Sequence, residues 1–172
     1  MNKAIFRAGC ALLLLAHGSL NASAQSTENS ETPTGKWLVQ CNNQQNFEKL
    51  SCQMNQTQRM AKTGVRLLSV TILENASGGT DMVLSPPHGV ALQDGVNYKI
   101  DSGAKRSGNI TVADANGSYS KIPLTADDIA NMRKGTSLEV SAFVEGSNGI
   151  AFNVDLTGFV RAYDLMKKAG SL

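Results

Sequence analysis

Hydrophobic and polar positions alternate along most of this chain in short runs, and the runs are separated by turn residues. The first pair lies at 36–41 and 50–56, where period two places Trp37, Val39 and Cys41 on one face. A polar loop at 42–49 joins them. Residues 65–73, Val-Arg-Leu-Leu-Ser-Val-Thr-Ile-Leu, are dense in β-branched and aliphatic side chains and predict a central strand. The Gly78-Gly79 turn leads to a strand starting at Asp81, which Ser85-Pro86-Pro87 ends because proline cannot donate to a ladder. Residues 88–92 run to a turn at Gln93-Asp94-Gly95, and 96–101 alternates with Val96, Tyr98 and Ile100 inward. A basic, glycine-flanked loop follows at 102–108. Asn116-Gly117 predicts a hairpin joining 109–113 to 119–124. A second hairpin joins 137–144 to 150–155.

Two stretches change period. Residues 125–134 read as a helix: Thr125 is the N-cap, Asp127 and Asp128 lie in the first turn, Arg133 and Lys134 in the last, and Gly135 stops it. At 158–168, Phe159, Val160, Tyr163 and Met166 recur at helical spacing. Eight or nine short strands with brief turns predict an all-β fold, mainly an antiparallel β-sandwich, with two short helices. A parallel sheet would need a helix between most strands.

The N-terminus does not belong to this pattern. Lys3 and Arg7 precede an apolar run at 8–16, and Ala22-Ser23-Ala24 fits a secretory cleavage signal. That run is shorter than the roughly 20 residues that span a bilayer. Residues 1–24 therefore read as a signal peptide, 25–35 as a disordered lead-in, and 36–172 as one β-sandwich domain in an exported protein. Arg7 stands close in front of Cys10, which argues against lipid attachment there. Removal of Lys3 and Arg7 turns a formal balance of 16 basic and 14 acidic residues into 14 against 14. Net basicity thus gives no ground for nucleic acid or anionic lipid as a partner, and no membrane span is expected.

Export also decides the cysteines. Cys10 leaves with the leader, so Cys41 and Cys52 remain, and an even count in an exported chain reads as a disulfide. Two reduced thiols in neighbouring strands are the alternative. The spacing suits neither a redox Cys-x-x-Cys nor a zinc knuckle.

Candidate chemistry is sparse. The exported chain keeps one histidine, His88, between Pro87 and Gly89, with no Gly-x-Ser-x-Gly elbow to supply a nucleophile. His88 with a nearby serine or aspartate is the hydrolase reading; an apolar ligand held between the sheets is the carrier reading. No catalytic residue, metal site or cofactor is expected. Lys105 and Arg106, with Lys99 and Lys121 near them, are the candidate positive patch for an unknown protein partner in the envelope or the host.

Several segments, taken in order, carry a family resemblance: Trp37, Cys41 and Cys52-Gln53-Met54; Arg66-Leu67-Leu68-Ser69-Val70; Pro87-His88-Gly89-Val90; Gly95-Val96 before Ile100-Asp101; Ile122-Pro123-Leu124; Gly135; and Leu156-Thr157-Gly158-Phe159. In them the chain resembles the invasion-associated locus B family of exported bacterial proteins, from Trp37 to about Leu165. The resemblance implies a small β-sandwich of the periplasm or outer surface, linked in some pathogens to host-cell invasion, and brings no catalytic residues. It also supports Cys41–Cys52 as the bridge. The family usually carries a second cysteine pair, for which this chain has Ala113 and Ser118. Loss of that pair implies a more mobile hairpin at 113–118.

Overall fold

The computed structural model describes residues 32–34, 36–43, 50–144 and 149–171. The expected signal peptide, most of the expected lead-in and the tips of two loops lie outside the described residues. The strands are β1 (Thr32–Thr34), β2 (Trp37–Asn42), β3 (Ser51–Arg59), β4 (Arg66–Glu74), β5 (Thr80–Ser85), β6 (Val96–Ile100), β7 (Arg106–Gly108), β8 (Val112–Asp114), β9 (Gly117–Leu124), β10 (Ser137–Ala142) and β11 (Ile150–Asp155). Helix α1 spans Ala126–Lys134 and α2 spans Phe159–Ala169. Seven strands form one sheet in the order β1-β2-β3-β4-β5-β9-β8, and four form another in the order β11-β10-β6-β7. Every pairing is antiparallel.

Period two builds the core. Trp37 and Val39 of β2, Met54 of β3, Val70 and Ile72 of β4, and Met82 and Leu84 of β5 are all buried. From the smaller sheet come Val96, Tyr98, Leu138, Val140 and Val154. These side chains fill the space between the sheets. Trp37 is completely buried, and its ring meets Phe159 edge-on at 5.4 Å. Phe159 in turn stacks on Tyr163 at 5.7 Å. The apolar face of α2 is thereby fixed to β2 and β3, and aromatic pairs of this geometry add about 1 kcal/mol beyond their buried area.

The sheets are also joined by polar bonds along the outer edge of β11. The Asp155 carbonyl accepts from Trp37 Nε1 at 3.3 Å and from Gln56 Nε2 at 3.2 Å. The Asn153 carbonyl accepts from Gln58 Nε2 at 2.6 Å. An edge strand presents acceptors that need partners, and here side chains of the opposite sheet supply them. Across the sandwich, β7 lies so close to β9 that a Cβ on Gly108 would come within 2.5 Å of Ser120 Oγ. Glycine is required there by contact.

Cys41 and Cys52 are direct cross-strand partners in the β2–β3 register and form a disulfide, with Cα atoms 4.1 Å apart. Both predicted helices are present; α1 carries the full capping box, with Asp128 and Thr125 exchanging bonds. Two details differ from the sequence reading. The lead-in holds β1, which pairs with β2. The loop at 102–108 contains β7, because Arg106 pairs with Tyr98. Residues 88–92 lead to a turn, as the sequence suggests: Val90 bridges to Val144 before a 3-10 turn at Leu92–Asp94.

The register also explains the missing cysteine pair, since Ala113 and Ser118 are direct partners across β8 and β9. Oxidised Ala113→Cys/Ser118→Cys protein should gain about 2 kcal/mol in urea denaturation, a gain that reductant abolishes. Replacing Cys41 and Cys52 by serine should lower stability by about 2.5–3 kcal/mol in the same measurement. An unchanged midpoint in either case would show that the bridge does not constrain the unfolded chain.

Candidate functional clefts

Where β5 leaves the larger sheet, Pro86-Pro87-His88-Gly89 carries the chain across to the smaller one. Gly89 has φ +90°, a left-handed value that glycine adopts readily. Val90 then bridges to Val144, and the Ala91 amide donates to the Phe143 carbonyl at 2.9 Å. The 3-10 turn closes at Gly95, where φ is +63° and a Cβ would press on the Gly108 carbonyl. This compact crossover leaves a cleft of about 580 Å³ lined by Val90, Ala91, Leu92, Gln93, Asp94, Phe143 and Val144. Leu92 is 50% exposed and Phe143 48%. Phe143 follows Leu138, Val140 and Ala142, which point inward, so period two turns its ring outward at the strand end. That alternation is the sequence signal that would have found it. On its other side lies a smaller cleft of about 200 Å³ with Lys105, Ser141, Gly149, Ile150 and Ala151.

The predicted positive patch divides. Lys105 is exposed at the smaller cleft and makes no ion pair among the described residues. Arg106 instead contacts the buried Asp128 carboxylate at 2.6 and 2.7 Å. Its guanidinium is held above its ordinary value first by the Tyr98 hydroxyl and then by Asp128. Arg106 is therefore a fastener between β7 and the capped start of α1. Lys99 pairs with Glu139 at 3.2 Å, and Lys121 with buried Asp81 at 3.0 Å. His88 is exposed in its turn. Among the described residues no three His, Cys, Asp or Glu side chains converge as a metal site, and no helix is long and apolar enough to cross a membrane.

A third cleft of about 510 Å³ runs beside the β11 edge, lined by Lys36, Gln56, Thr57, Gln58, Arg59, Leu67, Asn153 and Asp155. Asp155 is its electrostatic centre. The carboxylate lies well below the ordinary carboxylate range, held there by the Thr157 hydroxyl and amide and then by Lys36 at 2.9 Å. Asp101 is lowered as well, by the Thr136 hydroxyl first and then by the Ser137 and Thr136 amides. Its φ of +46° aims the carboxylate at the start of β10.

Residues 37–167 match the family described as "Invasion associated locus B (IalB) protein". The chain belongs to that family. Among curated proteins it is 30% identical over 161 residues to invasion protein B homologs of Brucella abortus strain 2308 and biovar 1 strain 9-941, covering 91% of this chain and 92% of each relative. The crystal structure of invasion associated protein B from Bartonella henselae superposes with a TM-score of 0.70 at 21% identity, over 80% of this chain and 95% of that one. That likeness establishes the fold, and the disulfide is consistent with an extracytoplasmic location.

Both lowered carboxylates contribute stability that is complete above the unfolded value of about 4 and lost as pH falls toward their folded values. Denaturation midpoints should therefore fall between about pH 4 and pH 2. Asp155→Asn should start lower at pH 6 and flatten that acid slope. A variant slope equal to that of the native chain would mean Asp155 titrates alike in both states.

Proposed function

We propose that this protein is an exported accessory protein of the bacterial envelope that works by contact with another protein, not by catalysis. It resides in the periplasm or at the cell surface after its leader is removed near Ala24. The observation that carries the reading is the Phe143 cleft. An aromatic ring and Leu92, each about half exposed, flank a concave surface with Lys105 alongside. A few large side chains, aromatic ones prominent among them, carry most of the affinity at protein interfaces, and a concave surface lets them be desolvated. The leader, the bridge and the relatives named for invasion support an envelope or host setting.

A photo-reactive amino acid placed at Phe143 in living cells should form one dominant crosslinked species, which Leu92→Ser and Lys105→Glu weaken while the thermal midpoint stays within about 1 °C. The same probe at Asp127, on the exposed side of α1, should give none. Crosslinks equal at both positions would sink the reading. Protease shaving of intact cells then separates the two locations: digestion with a periplasmic control intact means the surface, and protection until the outer membrane is opened means the periplasm.

A further inference from the structure

The hairpin formed by β3 and β4 has a charge pattern that the bulk balance hides. From Leu50 to Leu73 the chain holds Arg59, Lys62 and Arg66 and no Asp or Glu. Residues 59–65, which make the tip, are all exposed. Two of them are apolar: Met60 is 45% exposed and Val65 57%. The tip is held in shape, because the Met60 amide donates to the Val65 carbonyl at 2.8 Å and the Gly64 amide to the Met60 carbonyl at 2.8 Å. Gly64 takes φ +70°, and Arg59 Nη1 donates to its carbonyl at 3.0 Å.

No carboxylate answers these cations among the described residues. The six ion pairs found there use Lys36, Lys99, Arg106, Lys121, Arg133 and Lys167. Arg66 braces the neighbouring turn through Ser85 Oγ and the Asn116 carbonyl. The acid of that turn, Asp114, has its Oδ1 engaged by the Asn116 and Gly117 amides and the Tyr119 hydroxyl. A rigid tip with a cation at its apex, further cations at its base and two apolar side chains beside them complements an anionic bilayer surface. Phosphates meet the cations, and Met60 and Val65 reach the headgroup–acyl boundary.

We infer that the β3–β4 hairpin tip docks the protein on the anionic lipid surface of the envelope. This goes beyond the contact proposed at Phe143 and does not depend on it. Each cation close to such a surface raises partitioning about five-fold, so the association is reversible and salt-sensitive. Loss of binding at one site leaves the other intact.

The test is flotation of the exported chain, purified after its native processing, with vesicles of phosphatidylcholine containing about 30% phosphatidylglycerol, against pure phosphatidylcholine. The native chain should float with the anionic vesicles only and be released near 1 M salt, where screening shortens to about 3 Å. Lys62→Glu should weaken partitioning about 30-fold, since it replaces an attraction by a repulsion. Met60→Ser/Val65→Ser should weaken it several-fold, whereas Lys105→Glu, the same charge change beside the Phe143 cleft, should leave it unchanged. No flotation of the native chain, equal flotation with neutral vesicles, or an unaffected Lys62→Glu variant would overturn the proposal. So would equally tight binding to soluble polyaspartate with no effect of the Met60/Val65 change, which would mark the tip as a site for acidic protein.

Discussion

The carbonyl and carboxylate of Asp155 are the joint on which the two sheets and the C-terminal helix depend. A two-layer sandwich buries its inner faces easily, but its edge strands leave backbone acceptors without neighbours. On β11 that need is met from the opposite sheet: Trp37 and Gln56 both donate to the Asp155 carbonyl. The same residue uses its carboxylate to accept the Thr157 amide at 2.8 Å, turning the chain into α2. Phe159 then returns to lie against Trp37. One position thus couples sheet closure to helix docking. The Trp37 ring and the Asp155 backbone form one unit: moving the ring would remove one of that carbonyl's two side-chain donors as well as empty a core site.

Charge follows a related logic. Asp81 and Asp128 are buried, and each is answered by a cation from a neighbouring strand, Lys121 and Arg106. Losing one partner of such a pair leaves a charge without compensation, the costly case for buried ions. The cations spent this way hold strands and helix starts together. Among those outside the ion pairs are Lys62 at the β3–β4 tip and Lys105 beside Phe143, both exposed to another molecule. A chain whose acids and bases nearly balance can therefore carry local fields, because pairing consumes the acids unevenly.

The architecture was largely legible in the sequence because its determinants are local. Period-two alternation fixed which faces are buried, Asn116-Gly117 marked a hairpin, and Thr125 with Asp128 marked a helix start. Arg106 shows the limit. Sequence proximity grouped it with Lys105 as one basic patch, yet period two on the short strand β7 sends its guanidinium to Asp128, 22 residues on. Strands of three residues, such as β1, β7 and β8, carry too few positions for a period to show. Their pairing is supplied by neighbours.

The sequence by itself determined the alternating strands, the two helices and the family, since each is written in residue identity or close spacing. Tertiary structure alone decided which cations are paired across elements, how the β11 edge is closed, and which residues form the clefts beside Phe143. Those outcomes depend on which distant strands become neighbours, and residues as far apart as Trp37 and Asp155 are brought together only when the two sheets close.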